Sequence, residues 1–131
     1  MKSTSKWNQG FQSAVDNGRG HTVTVDLPPN QGGADTGATA LELSVMALSG
    51  CVGTVFAVVA KNSSFTYDAL RVEVTADKGE KTIEKADIKI YVRTADQAKA
   101  ARVLEKTLSI CPVGILFELA EVKMKSELIC E

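Results

Sequence analysis

The longest apolar run in the chain extends from Thr36 to Lys61 and contains one acidic residue, Glu42, and one thiol, Cys51. Apolar residues recur along this run at spacings of three and four, which predicts a helix. The opposite side of the helix is also apolar or small, and a helix that is apolar nearly all round is buried on all sides. We therefore expect this helix at the centre of the domain or of an oligomer. The residues that set the spacing are Leu41, Val45, Leu48, Val52, Val55 and Val59.

The sequence also marks both ends of this helix. Thr36 or Thr39 is suited to cap its start, and Glu42 follows Thr39 by three residues, which is the spacing of a capping box. The helix is expected to end near residues 62–64. Its length raises the question of a membrane span, but Glu42 and the serines and glycines in the run argue against one.

Alternation of apolar and polar residues predicts two strands before the helix. Residues 6–15 alternate and are expected to form one strand with one face turned inward. Residues 16–20 contain two glycines and an asparagine, which indicates a turn. Residues 21–26 alternate again, so we expect a hairpin, and the proline- and glycine-rich residues 27–33 are expected to form a loop.

Five further elements are predicted after the helix. Two strands with interleaved charges come first, and these charges indicate a solvated outer face. A helix with a narrow apolar stripe follows, then a short helix, then a final strand. The predicted elements are strands at 70–77 and 83–93, helices at 95–109 and 115–121, and a strand at 122–129.

The resulting order is β-β-α-β-β-α-α-β, in one domain of residues 1–131. Strands in hairpin-like pairs predict antiparallel sheets and the α+β class, with the long buried helix at the centre. That helix has more apolar surface than a few half-solvated strands can cover. We therefore expect a homodimer in which two copies complete each other's core.

Composition narrows the range of functions. The net charge of −1 gives no reason to expect binding to nucleic acid or to acidic membranes, both of which need a basic surface. The first residues lack an apolar stretch, so we expect no signal peptide and a cytoplasmic protein. Three cysteines in that compartment are expected to be thiols. With no Cys-x-x-Cys spacing and one histidine, His21, no zinc site is expected within the chain.

Two cysteines are candidates for chemistry. Cys51 lies in the apolar helix, where a free cysteine commonly acts as a small hydrophobic residue. Its neighbours Gly50 and Gly53 are costly in a helix interior and suggest that a backbone or a ligand comes close. Cys111 precedes Pro112, a residue suited to the first turn of a helix, so the helix end is expected to lower the pKa of this thiol. The alternative for Cys111 is a small residue in a tight break between helices.

The other polar candidates have structural alternatives as well. Glu42 is either a capping residue or a functional carboxylate. Arg19 lies in a glycine-flanked turn and is by itself most simply a solvated hairpin tip. His21 is most simply a strand-edge residue, and Cys130, next to the end of the chain, is expected to be exposed.

Three segments together resemble one family. These are the segment from Leu41-Glu42 to Gly50-Cys51, the Ile110-Cys111-Pro112-Val113 segment after the second helix, and the Gly18-Arg19-Gly20 turn. They resemble the osmotically inducible protein C / organic hydroperoxide resistance (OsmC/Ohr) family. The resemblance extends from about the first hairpin to the last strand.

This resemblance implies an OsmC-like fold, an intertwined homodimer and a thiol-dependent peroxidase acting on organic hydroperoxides. Cys51 would be the peroxidatic nucleophile and Cys111 the resolving thiol. Arg19 and Glu42 would hold and activate Cys51. No metal or other cofactor is implied, and an external dithiol would restore the cysteines.

The spacing of Glu42 and Cys51 adds a geometric expectation. The two are nine residues apart, which at ~100° per residue is half a turn out of phase. Either the chain around Glu42 is not helical, or the second copy helps to complete the site. We favour a site at the subunit interface, with Arg19 supplied across it.

Two other functions remain open at this level. One is a non-catalytic module that binds a small hydrophobic or thiol-reactive ligand at the dimer interface. The other is a purely structural role for both cysteines.

Overall fold

Six strands and three α-helices form the structure, a computed structural model that describes residues 1–131. The chain divides into two units, Met1–Ser44 and Val45–Glu131. Each unit contains one three-stranded sheet, and the predicted α+β class is confirmed. The elements are β1 (Thr4–Gln9), β2 (Gln12–Asp16), β3 (Thr22–Val25), α1 (Ala40–Asn62), β4 (Ala69–Lys78), β5 (Ile83–Arg93), α2 (Gln97–Ile110), α3 (Pro112–Leu119) and β6 (Lys123–Cys130), with a 3₁₀ turn at Pro29–Gln31.

The first sheet has one strand more than the sequence predicted. Residues 6–15 are not one strand, because Gly10 and Phe11 form a two-residue turn between β1 and β2. Gly10 has a φ of 51°, a conformation that glycine adopts without the steric cost of a side chain. The turn is too short to interrupt the alternating pattern with a polar cluster. The prediction that one face of this segment turns inward is also wrong, because Trp7 and Phe11 are 69% and 58% exposed.

A buried carboxylate organises the loop between β3 and α1. Asp26 accepts hydrogen bonds from the Leu27 amide and from both the amide and the hydroxyl of Thr36. The bonds from Thr36, led by its hydroxyl, hold the pKa of Asp26 below its ordinary value. Gly37 passes so close to the Thr24 carbonyl that a Cβ would overlap it. These contacts fix the chain just before α1 begins.

Helix α1 begins with the predicted capping box. The Glu42 carboxylate accepts from the Thr39 amide at 2.7 Å, and the Thr39 hydroxyl accepts from the Glu42 amide at 3.2 Å. The helix then continues without a break to Asn62. The possibility that the chain around Glu42 is not helical is therefore wrong.

Within a single chain α1 is buried along one stripe. The buried residues recur every four positions, as expected for one helix face; they are Leu48, Val52, Phe56 and Ala60. Met46 and Val58 remain 56% and 51% exposed. The helix has the length and the mean hydropathy, 2.1, of a membrane span, properties that the core helix of a soluble protein shares. The exposed apolar face is the surface that the predicted partner would cover.

The second sheet has the order β4-β5-β6. Strands β4 and β5 are antiparallel as predicted, and Ile88, Ile90 and Val92 form the buried side of β5. Strand β6 pairs with β5 in parallel, so the antiparallel expectation holds for three of the four pairings. The reason is the connection: α2 and α3 carry the chain back across the sheet, and such a crossover joins parallel strands.

Candidate functional site: a thiol pair on α1 and α3

Cys51 and Cys111 are 60 residues apart in sequence, and their sulfur atoms lie 3.0 Å apart. On α1, Cys51 lies one turn after the buried Leu48 and directly before the buried Val52. It is therefore at the margin of the buried stripe. The Cys111 thiol donates a hydrogen bond to the Cys51 sulfur. Both residues are free thiols. The structure therefore brings together the two cysteines that the sequence identified as candidates.

Pro112 determines where Cys111 lies. Proline disfavours a helical conformation in the residue before it, so α2 ends at Ile110 and Cys111 is extended, with φ −68° and ψ 110°. Pro112 is then the first residue of α3, a position where its missing amide hydrogen costs nothing. Cys111 caps α3, and its sulfur accepts the Gly114 amide hydrogen at 3.4 Å.

The predicted low pKa of Cys111 is wrong, although its position at a helix start is confirmed. Burial raises the pKa of the Cys111 thiol to about 11, and the hydrogen bond to Cys51 acts in the same direction. The Gly114 amide favours the thiolate but offsets only part of this effect. Cys111 is fully buried. The free energy needed to remove its thiolate from water exceeds the stabilisation that the start of one helix provides.

The two thiols differ in accessibility. Cys51 is partly exposed, whereas Cys111 has no exposed surface. Beside Cys51, a Cβ built on Gly50 would meet no atom within 4 Å, and one built on Gly53 would meet only the Val72 side chain at 3.8 Å. An alanine side chain at either position would therefore find room in the single chain. Of the two sulfur-bearing residues, only Cys51 has surface exposed to solvent.

Glu42 and Arg19, the other predicted site residues, lie in the first unit. Glu42 is engaged in the capping box, and the hydrogen bond from the Thr39 amide lowers its pKa. Arg19 is exposed in the turn between β2 and β3, where its amide donates to the Asn17 side chain. The Arg19 guanidinium takes part in none of the four ion pairs of the structure. His21 contacts the same Asn17 side chain through Nδ1 at 3.1 Å.

The sequence did not reveal a cavity of about 110 Å³ beside Cys111. Its walls come from α1, β5, α2, α3 and β6, so no local pattern indicates it. The lining residues are Val52, Ile88, Leu108, Cys111, Gly114, Glu118, Met124, Lys125 and Ser126.

No group of three or more His, Cys, Asp or Glu side chains is arranged to hold a metal ion. Cys130, at the end of β6, is half-buried rather than exposed.

Comparison with known families extends over most of the chain. Residues 32–127 match the profile of the family described as OsmC-like protein, and they include both cysteines and Glu42. The chain belongs to the OsmC-like family. No curated protein sequence matches the chain.

Solved OsmC-like structures share this fold at low sequence identity. The OsmC-like protein of Mycoplasma pneumoniae superposes with a TM-score of 0.86 at 12% identity, covering 98% of this chain and 95% of that one. An organic hydroperoxide resistance protein OsmC from Legionella pneumophila gives 0.75 at 16% identity, covering 98% and 97%. One from Elizabethkingia anophelis gives 0.75 at 18% identity, covering 98% and 94%. These likenesses establish the OsmC fold.

Proposed function

We propose that this OsmC-like protein is a thiol-dependent peroxidase that reduces organic hydroperoxides through Cys51 and Cys111. The observation that carries the proposal is the pair of sulfur atoms 3.0 Å apart, one partly exposed and one buried. Two of the similar structures are described as organic hydroperoxide resistance proteins, and membership of the family supports the same activity here.

The reaction begins at Cys51, because this is the sulfur that solvent reaches. Its thiolate attacks one peroxide oxygen, the O–O bond breaks, and the other oxygen leaves with a proton as an alcohol. Cys51 is then a sulfenic acid. The Cys111 hydrogen bond already points at the Cys51 sulfur, and such a bond favours the charged nucleophile.

Cys111 resolves the sulfenic acid. Its sulfur attacks the Cys51 sulfur, water leaves, and a disulfide forms. The two sulfur atoms need to approach by only about 1 Å to reach disulfide length. An external dithiol then reduces the disulfide and is itself oxidised, which returns both thiols. Burial keeps Cys111 protonated until this step.

The surroundings of Cys51 favour an apolar hydroperoxide. The chain carries no charged side chain between Glu42 and Lys61, and α1 exposes Val58, which lies two turns from Cys51 on the same side of the helix. Burying the alkyl part of a peroxide against such a surface is favourable by roughly 25 cal/mol per Å². Hydrogen peroxide has no alkyl part and gains nothing from this contact. The free thiols fit a reducing compartment, the cytoplasm.

The proposal includes a homodimer. Helix α1 is continuous through Glu42, which leaves completion of the site by a second copy as the remaining alternative from the sequence. In the proposed dimer Arg19 of the partner subunit stabilises the Cys51 thiolate and orients the peroxide. Glu42 fixes that guanidinium through a carboxylate oxygen. The exposed apolar face of α1 is covered in the same assembly.

Cumene hydroperoxide consumption with a dithiol reductant tests the activity. Wild type turns over, Cys51→Ser is inactive, and Cys111→Ser performs one oxidation without sustained turnover. Cys130→Ser is the matched control and retains the wild-type rate. Equal rates for wild type and Cys51→Ser would reject the proposal.

A further inference from the structure

The cavity beside Cys111 extends from the protein surface to a buried sulfur-bearing residue. Glu118, Lys125 and Ser126 are exposed at one end, whereas Val52, Ile88 and Cys111 are buried at the other. Cys111 lines the cavity and Cys51 does not. The cavity thus ends beside the buried resolving cysteine and does not include Cys51.

We propose that this cavity admits the reducing dithiol, which attacks Cys111 rather than Cys51 in the disulfide form. The inference rests on the proposed function, since it assigns the reductant's entry to the same thiol pair. A thiolate attacks a disulfide sulfur along the axis of the S–S bond, opposite the leaving sulfur. With Cys51 as the leaving sulfur, that approach needs free space next to Cys111, which the cavity supplies.

The exchange balances without any further reactant. The first thiolate of the dithiol bonds to the Cys111 sulfur, the Cys51–Cys111 bond breaks, and Cys51 leaves as a thiolate. The second thiol of the reductant then attacks its own sulfur in the mixed disulfide, releasing Cys111 and a cyclic disulfide. Cys111 takes up the proton. Two electrons pass from the dithiol to the protein.

Leaving-group chemistry favours the same direction. A thiol of lower pKa leaves faster, and the pKa of Cys111 is raised to about 11. Attack on the exposed Cys51 would have to expel this poor leaving group into a buried site. Attack on Cys111 expels Cys51 instead, at the partly solvated position.

The size of the cavity limits the reductant. A cavity of about 110 Å³ is smaller than the roughly 150 Å³ that holds one benzene ring, so it accepts one unbranched thiol arm. Glu118 and Lys125 at the rim carry opposite charges, so charge does not select the reductant.

The site of attack can be mapped directly. The disulfide form is prepared with diamide, which does not depend on peroxidase activity, and is treated briefly with 2-mercaptoethanol and quenched with iodoacetamide. Peptide mass mapping is expected to find the mercaptoethanol adduct on Cys111 and the alkyl group on Cys51. The reverse assignment, or failure of diamide to form the bridge, overturns the inference. A bridge that diamide forms but peroxide does not would overturn the proposed function alone.

Filling the cavity supplies a second test. Ser126→Leu narrows the mouth, and Gly114→Ala adds a methyl group 3.5 Å from the Cys111 sulfur, at a helical position that tolerates alanine. The ratio of the dithiothreitol reduction rate to the peroxide oxidation rate is expected to fall about tenfold, because the attacking sulfur loses its alignment. Thr75→Leu, on the outer face of β4, is the control and keeps the wild-type ratio. Unchanged ratios in both folded cavity variants overturn the inference.

Discussion

The Cys111 thiol donates a hydrogen bond to the Cys51 sulfur, and only Cys51 of the two is open to solvent. Two local features of the sequence produce this relationship. The apolar periodicity of α1 places Cys51 at the margin of the buried stripe, and Pro112 ends one helix and starts the next at Cys111. An accessible sulfur and a protected one within 3.0 Å of each other form a suitable pair for sequential oxidation.

Glu42 offers a way to separate capping from catalysis. Gln at this position keeps the oxygen that accepts the Thr39 amide hydrogen, but removes the charge that would hold Arg19. We expect Glu42→Gln to lower the Tm only slightly, because the cap acceptor remains and only its charge is lost, while peroxidase turnover falls by about tenfold or more. Thermal unfolding and cumene hydroperoxide turnover are measured on the same samples.

The matched variant for this test is Thr39→Ala. It removes the other half of the capping box and is expected to cost about 1 kcal/mol of unfolding free energy. Its charge at Glu42 is intact, so turnover per folded molecule should remain close to wild type. Wild-type turnover in Glu42→Gln would show that Glu42 only caps the helix and does not contribute to catalysis.

The acid stability of the first unit is expected to depend on Asp26. Because the Thr36 hydrogen bonds lower its pKa in the folded state below the ordinary 3.8, the unfolded chain binds a proton more readily. This contribution is therefore present above about pH 4 and is lost as the pH falls through the lowered folded value. Thermal unfolding between pH 7 and pH 3 should show that Asp26→Asn has a lower Tm than wild type at neutral pH. Its Tm should then decrease less than that of wild type as the pH falls.

Asp35→Asn is the control for this experiment. Asp35 lies in the same loop, is exposed, and has a φ of 55°, which asparagine tolerates. It should retain the wild-type pH profile. A parallel loss of acid stability in wild type and Asp26→Asn would show that the Thr36–Asp26 contact does not contribute.

The exposed face of α1 predicts the oligomeric state. Val58 is 51% exposed and belongs to the apolar face of α1 that the proposed dimer covers. A glutamate at this position would place a charge inside the interface. Light scattering after size exclusion should give a dimer for wild type and a monomer for Val58→Glu. Arg102→Glu, on the exposed side of α2, should remain dimeric. A monomeric wild type would contradict the proposal that a second copy completes the site.

The sequence predicted those elements whose signals are local. The capping box at Thr39 and Glu42 was predicted, because cap chemistry depends on residues only three apart. The break at Pro112 was predicted for the same reason. The turn at Gly10 was missed because two residues are enough to reverse the chain, and the parallel pairing of β6 was missed because the predicted hairpins suggested antiparallel strands throughout.

The candidate site shows a similar division. The two cysteines could be named from the sequence, and their 3.0 Å separation is a long-range contact between α1 and the residue that caps α3. The sign of the Cys111 pKa shift was wrong, because burial depends on the whole fold and outweighs the local helix-end effect. The cavity at Cys111 has walls from five elements, and no single segment carries its pattern.

The most direct test of the account is mass analysis after one equivalent of an organic hydroperoxide. The expected result is the loss of two hydrogens, about 2 Da, and a linked peptide pair that joins Cys51 to Cys111. Two unchanged thiols, or a bridge that involves Cys130 instead, would contradict it.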